Sequence, residues 1–420
     1  MKICFTGPLL DFSGFATASR NFLNALVVAS QDPKMDLTIT GRALRYDMPD
    51  PGAEFRPEPW LSKLLQASLQ DVDCLIQATT CNIEAVPKPG ILNALYTFFE
   101  LDRIPGPWID KANEFDFIIV PCQYNGQMLV RCGITKPIFI IQPPTDLSRY
   151  DTFMKPVADP ELPDLSGKTI FYNICQLSGK KGIDSLLRAY YAAFADMPEE
   201  VVLVLKTYIN MGFRGNDLKT VKDFIQRVKQ GCNIPAEKLP PVLPIVNIFS
   251  DNQIRGLHTK CDVYVNSSRA EGFCLPAFDA LGFGKTLISN NFGGMAEYVT
   301  KDTALIYGGC ISNVYDQPHP EPFLYSGLSR WFEPSTAHMA DAMRSYHLLK
   351  KGAAAGTLDE ESNKIWTSIA QQRENGKQLV QRYCLQKNGP PIFGLLKQAF
   401  DSWKVNGRVI LSQPEAKTNE

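Results

Sequence analysis

The run from Asn266 to Val299 constrains this chain more than any other stretch. It reads Asn-Ser-Ser-Arg-Ala-Glu-Gly-Phe-Cys-Leu-Pro-Ala-Phe-Asp-Ala-Leu-Gly-Phe-Gly-Lys, then Thr-Leu-Ile-Ser-Asn-Asn-Phe-Gly-Gly-Met-Ala-Glu-Tyr-Val. Cys261 to Val265 is apolar and strand-like, and it leads into the run through a polar turn. Pro276 then stands where the first turn of a helix tolerates proline, because that N–H would have no partner inside the helix. Ala277 to Leu281 predicts a helix, Thr286 to Ser289 the next strand, and Gly293-Gly294 the opening of another helix. Two successive strand-to-helix turns therefore carry glycine, and the free N–H groups and dipole of a helix start favour phosphate. Glu271 and Asp279 are eight residues apart, a little over two helical turns. One carboxylate thus lies in the turn and the other on the helix it starts.

With 420 residues, the chain has room for two or three domains with cores of their own. Its 43 basic and 44 acidic residues nearly cancel, so net charge does not indicate a nucleic-acid acceptor and only a local basic patch would serve one. The eleven cysteines are scattered without a Cys-x-x-Cys pair, which predicts reduced thiols and a cytoplasmic protein. Met1 to Gly7 reads as a strand entering a turn, and no run approaches eighteen apolar residues, so no transmembrane segment is expected.

Along the chain, Lys2 to Thr6 predicts a strand, Gly7 to Phe15 a glycine-bearing loop, and Ala18, Phe22, Ala25 and Leu26 a helix face. That order suggests a Rossmann-like half. Further strands are expected at Leu37 to Thr40, Val72 to Ala78, Leu92 to Phe98, Phe117 to Val120 and Ile138 to Ile141. Helical patterns between several of them argue for a parallel α/β sheet. Asp71-Val72-Asp73 heads a strand and reads as its solvated entrance; no metal site is expected. Glu100 and Asp102 follow the carboxyl end of a strand, where functional groups of open α/β sheets gather. They are candidates to orient a substrate hydroxyl, with Arg103 pairing with either; an ion pair that merely fixes the loop is the alternative. All four histidines (His258, His319, His338 and His347) lie in the second half, which removes histidine catalysis from the first.

Lys155 to Gly167 carries three prolines and reads as a linker. The strand–loop–helix pattern restarts with Thr169 to Cys175, the loop Gln176 to Gly182 and a helix through Leu186, Leu187, Ala189 and Tyr190. Val201 to Leu205 predicts a strand ending at Lys206, and Val242 to Phe249 another. Ser250-Asp251-Asn252-Gln253 caps a helix. Thr303 to Tyr307 is expected to be the last strand. Gly308 to Ser335 is expected to be a loop, from which Tyr325 or Trp331 could stack on a sugar or base, although packing is the commoner fate of such rings. Helices follow at Thr336 to Lys350, Asn363 to Tyr383 and Pro391 to Val405.

The organising run resembles the donor site of the retaining family-4 glycosyltransferases of the GT-B fold, whose pattern is Glu-Gly-Phe-x-Leu-Pro, a second acid after seven residues, then Gly-Gly-x-x-Glu. Phe99-Glu100-Leu101-Asp102-Arg103-Ile104-Pro105, Trp108 and Val120-Pro121-Cys122 resemble one subgroup. The resemblance covers nearly the whole chain, with departures. Asp279 replaces a glutamate, Lys285 a proline, and Gln176 the arginine that with a lysine, here Lys181, clamps the diphosphate. Lys206 is the expected substitute for that arginine.

The implied α/β fold is GT-B. An acceptor domain (1–150), a linker (151–167), a donor domain (168–385), a segment returning to the first domain (386–411) and a tail (412–420) would make it up. Two Rossmann-like domains would face across a cleft. The implied reaction moves a sugar, with retention and without metal, from a nucleoside-diphosphate sugar (UDP- or GDP-linked) to a hydroxyl acceptor. Glycan, lipid carrier, small molecule, protein and hydroxylated nucleobase all stay open as that acceptor. In this reading Glu271 holds the sugar and Asp279 the ribose. The diphosphate meets Lys181, Lys206 and backbone donors of Gly272, Phe273, Cys274, Leu275, Gly293 and Gly294, and Gly14 lets backbone approach it. Glu297 anchors its own helix start. No cofactor is implied beyond the sugar nucleotide as co-substrate. A non-catalytic nucleotide-sugar or glycan binder and a nucleotide-sugar epimerase are the alternatives.

Overall fold

The computed structural model describes residues 1–44, 56–67, 71–80, 86–209, 217–315 and 324–410. The first half alternates β1 (Lys2–Gly7), α1 (Gly14–Ser30), β2 (Thr38–Ala43), α2 (Pro59–Gln66), β3 (Cys74–Ala78), β4 (Leu92–Tyr96), α3 (Gly106–Ala112), β5 (Phe117–Val120), α4 (Gln123–Cys132) and β6 (Ile138–Ile140). These strands pair in parallel in the order β2-β1-β3-β4-β5-β6. Every residue of β3, β4 and β5 is buried, as strands covered by helices on both faces must be.

The second half repeats the plan with β7 (Thr169–Gln176), α5 (Ile183–Phe194), β8 (Val201–Tyr208), α6 (Asp217–Gly231), β9 (Val242–Ile245), α7 (Asp251–Lys260), β10 (Val263–Val265), α8 (Leu275–Gly282), β11 (Thr286–Ser289) and β12 (Leu305–Ile306). Its parallel order is β12-β11-β10-β7-β8-β9, the doubly wound arrangement with a switch point between β7 and β10. Gly293-Gly294 opens a short 3₁₀ turn, Gly293–Glu297, where a helix was expected.

Beyond β12 the described part of the expected loop is an antiparallel hairpin, β13 (Gly309–Asn313) and β14 (Arg330–Pro334). Val314, Leu324 and Trp331 join one apolar cluster with Leu95, Phe99, Ile104, Trp108 and Phe115 of the first half. Trp331 is fully buried there, so its ring packs between domains and is not available to a ligand. On the first domain's side, Arg330 donates through its backbone N (2.8 Å) and its Nε (2.9 Å) to the Asp102 carboxylate. The hairpin therefore straps the two domains together.

Helices α9 (Thr336–Ala355), α10 (Glu360–Val380) and α11 (Leu385–Asn406) complete the chain. The last starts six residues before the expected Pro391 and contains Pro390 and Pro391. The carbonyls their missing N–H groups would bond, on Gln386 and Lys387, belong to exposed residues that water can serve. Leu385, Ile392, Phe393, Leu396 and Phe400 of α11 pack with Phe22, Leu23 and Leu26 of α1, inside the first domain's core.

The segment after β6 binds the second domain. Buried Arg255 of α7 donates to the carbonyls of Arg149 (2.7 Å), Pro156 (3.3 Å) and Lys155. Asp73 receives the Lys2 N–H on Oδ2 at 2.8 Å, so the Asp-x-Asp run ties strand entrances. The expected tail at 412–420 and His319 lie outside the described residues.

Candidate active site

The carboxyl ends of both sheets open on one cleft of about 1070 Å³. Gly14, Phe15, Phe98, Phe99, Glu100 and Trp108 line it from the first domain. From the second, Gln176, Lys180, Lys181, Glu271 to Pro276, Asp279 and Tyr325 face them.

At its centre is the turn from β10 to α8. Glu271 is 7% exposed and accepts on Oε1 from Ser268 Oγ (2.7 Å) and Lys181 Nζ (2.6 Å). Cys274, just before α8, has φ 62°, a left-handed conformation that costs a non-glycine residue about 1–2 kcal/mol. The buried Tyr298 hydroxyl lies within hydrogen-bond distance of the Phe273 (2.8 Å) and Cys274 (2.9 Å) carbonyls and holds the turn in that shape. Among the described residues the N–H groups of Gly272, Phe273, Cys274 and Leu275 have no protein acceptor. A row of four free donors at a helix start suits a diphosphate.

Gly293 and Gly294 do not join that row. They lie outside the cleft lining, and Gly294 N donates to Glu271 O at 3.0 Å. A Cβ on Gly294 would fall 1.9 Å from Gly272 O, so glycine is needed for two turns to touch. The pair supports the Glu271 turn from behind.

Two adjacent lysines on the turn Gly179–Lys181 enter the cleft in different directions. Gly182 ends the turn at φ +59°, its Cα so close to Ser267 O that a Cβ would lie 2.2 Å away. Lys181 pairs with Glu271, and Lys180 pairs across the cleft with Glu100 of the first domain. Lys180 Nζ also donates to Tyr325 Oη at 2.9 Å. Burial alone would raise the Glu100 carboxyl, but Lys180 outweighs it and holds the group below the usual carboxylate range. Burial would likewise lower both lysines, and Glu100 and Glu271 overcome it, so both stay protonated.

Lys206 does not line the cleft. It is 5% exposed, its ammonium 5.4 Å from the ring centre of Phe249, which does line the cleft. Burial without a carboxylate pushes it down to about 8. Gln176 ends β7 and lines the cleft. The second cation beside Lys181 is its neighbour Lys180.

Asp279 lines the cleft, but both oxygens are engaged. Arg149 donates from Nε (3.2 Å to each oxygen) and Nη2 (2.8 Å to Oδ2), and Tyr150 Oη donates to Oδ1 at 2.9 Å. Arg149 also pairs with Asp251. The acid expected to hold the ribose instead fixes a guanidinium in the cleft. Asp102 lies outside the cleft lining and serves the strap. Glu297 leaves its own helix start and reaches the first domain. It accepts from Gln123 N and Gln142 Nε2, both at 2.6 Å. Gly14 opens α1 at the cleft with free space where a side chain would begin.

Lys180, Arg149 and Arg269 were missed from sequence. Only the Lys-Lys pair at a strand-to-helix turn gave a usable signal, and one of the two was overlooked.

The model of the family described as glycosyl transferases group 1 matches residues 157–311. The matched stretch contains the second sheet, both lysines, Glu271 and the α8 turn. Anabaena HepE, solved in complex with UDP and glucose, superimposes with a TM-score of 0.57 at 14% identity, covering 94% of this chain and 99% of that one. Sucrose-phosphate synthase from Thermosynechococcus elongatus gives 0.60 at 14% identity, with coverage of 96% and 100%. A trehalose-6-phosphate structure from E. coli bound with UDP-2-fluoro glucose gives 0.61 at 11%, with coverage of 95% and 99%. The whole chain thus shares the fold of these structures, the GT-B arrangement of two Rossmann-like domains. No curated protein sequence matches it. Among the described residues no helix is long and apolar enough to cross a membrane.

Proposed function

We propose that this glycosyltransferase moves a sugar from a nucleoside-diphosphate sugar, with retention, to a hydroxyl acceptor held by the first domain. The observation that carries this reading is the convergence of four free N–H groups, at Gly272 to Leu275, with the Lys181–Glu271 pair. The UDP and sugar bound by similarly folded structures support UDP as the nucleotide.

In this mechanism the diphosphate lies against the start of α8, where N–H groups and the Lys181 ammonium stabilise negative charge as the bond to the sugar breaks. Glu271 holds hydroxyls of the transferred sugar. The ribose end meets Arg149, held in place by Asp279, in place of a free second acid. The anomeric carbon loses its bond to the diphosphate oxygen and gains one to the acceptor oxygen on the same face. The acceptor proton passes to the departing phosphate, so no covalent nucleophile is required. Glu100, ionised and facing the donor turn, orients the acceptor hydroxyl.

Incubation with a panel of UDP- and GDP-sugars and simple sugar acceptors, analysed by mass spectrometry and NMR, tests this. A new glycoside with retained configuration is expected, undiminished by chelator. Nucleotide binding without product would leave a binder, and an altered donor sugar would mean epimerisation. Loss of activity in EDTA with rescue by Mg²⁺ would overturn the metal-free mechanism.

A further inference from the structure

We propose that Arg269 is a positioning residue that ties the domain-bridging hairpin to the lysine turn, so that contact between the domains sets where Lys180 and Lys181 point. Its kinetic consequence rests on the glycosyl-transfer reading above; its structural consequence does not.

The Arg269 side chain is 2% exposed, and Arg269 does not line the cleft, so it acts through other groups. Every branch of its guanidinium is engaged. Nη1 donates to Gly179 O (2.6 Å) and Asp184 Oδ1 (2.9 Å). Nε reaches Glu333 Oε2 (2.8 Å), and Nη2 reaches Glu333 Oε1, Asp184 Oδ2, Ser185 Oγ and Tyr315 Oη, all at 3.0–3.1 Å. The rings of Tyr315 and Trp331 lie 5.4 and 5.3 Å from its Cζ. Its backbone is committed as well: Arg269 N donates to Lys180 O at 2.7 Å, and Phe332 N donates to Arg269 O at 3.0 Å.

These partners form two groups. Gly179, Lys180, Asp184 and Ser185 belong to the lysine turn and the first turn of α5. Tyr315, Trp331, Phe332 and Glu333 belong to the strap. A bidentate fork to each of two carboxylates fixes orientation far more tightly than a lysine's point charge would. The strap also reaches the first domain, through the shared apolar cluster and the Arg330–Asp102 pair, while Phe332 stacks on Phe292 of the second. Tyr325, within the same strap, accepts from Lys180. Displacing the first domain therefore moves Glu333 and Trp331, and these hold the guanidinium whose other side holds the turn. Such a linkage acts in both directions, so a ligand on the lysines must also order the strap.

Replacing Arg269 itself leaves two acids facing each other and risks loss of the fold, so Glu333→Gln and Tyr315→Phe carry the test, with Arg269→Lys alongside. Hydrogen exchange by mass spectrometry would follow peptides spanning 178–185 and 309–315, with and without UDP as the probe. In the wild type, UDP should slow exchange in both peptides. In Glu333→Gln both should exchange faster by about fivefold or more while β3 and β4 are unchanged, and UDP should protect only 178–185. Turnover should fall about tenfold with UDP affinity by calorimetry changed less than about threefold, and Arg269→Lys, which cannot fork to both carboxylates, should show the same loss.

Faster exchange confined to 309–315, or a lowered Tm with turnover per folded molecule intact, would overturn the proposal and leave Arg269 as a local anchor. If the wild type transfers no sugar yet the two peptides respond together, the linkage stands and the glycosyl-transfer reading fails instead.

Discussion

Lys180 and Lys181 are chain neighbours with acidic partners, yet their pairs belong to different parts of the molecule. Lys181 and Glu271 both sit on the second domain, so their 2.6 Å contact forms within one body. Lys180 reaches Glu100 on the first domain, and that contact exists only while the domains face each other. One pair lies within a domain; the other spans the cleft between two. The difference shows how one turn serves chemistry and assembly at once, with side chains pointing in opposite senses from adjacent residues.

Breaking the first pair should have the larger effect. Lys181→Met should lower turnover by about 100-fold, roughly 3 kcal/mol of transition-state stabilisation, with a smaller rise in donor Kd, read by single-turnover kinetics and calorimetry. Equal losses in rate and affinity would mean that Lys181 binds ground state and transition state alike. Glu271→Gln should follow, losing about 2–3 kcal/mol of barrier lowering while nucleotide affinity is largely kept. Wild-type turnover in that variant would remove Glu271 from the site.

The second pair should matter less for donor chemistry and more for the acceptor. Lys180→Met and Glu100→Gln should each cost about 1–2 kcal/mol, mainly in acceptor KM, and the double variant should be no worse than either single one. Additive losses would show that the two residues act separately. The Glu100 carboxyl is depressed in the folded state, so its contribution to stability is present above the free glutamate range. That contribution is lost as pH falls through the lower folded value.

Lys206 provides the smallest effect and the contrast. Lys206→Met should leave turnover unchanged and raise stability at pH 7 by roughly 3 kcal/mol, since a buried ammonium depressed to about 8 disfavours the folded state wherever it must be protonated. Between that value and the free-lysine range the unfolded chain binds the extra proton. Wild-type stability therefore rises with pH there, and the variant's advantage fades. A steep loss of transfer in Lys206→Met would restore it to the clamp.

Much of this plan was readable from residue order. Apolar runs such as Phe117–Val120 and Thr286–Ser289 fall within their strands residue for residue, because strands covered on both faces need continuous apolar sequence. The placement of Glu271 and Lys181 in two separate turns follows from the strand–turn–helix pattern. What could not be read depends on contacts distant in sequence. Glu297 bonds Gln123 N, 174 residues away, and nothing local in either segment points to the other. The hairpin was hidden because its composition resembles a loop and its apolar residues serve a neighbouring domain's core. Lys206 misled because a lysine after a strand usually marks the strand's exposed end, whereas here β8 continues to Tyr208.

The return of α11 onto α1 has a consequence for how the protein is made. Leu385 to Phe400 supply part of the apolar core around Phe22 and Leu26, so the first domain leaves the ribosome with one face of that core uncovered. It must wait for residues 151–384, on the order of ten to fifty seconds at about 5–20 residues per second. During that interval an apolar stripe of α1 stays uncovered, while the second domain, whose sheet and covering helices are contiguous, can close on itself. The segment synthesised first is therefore the last to be finished, and a chain stopped before Leu385 would leave its opening domain without a lid on its core.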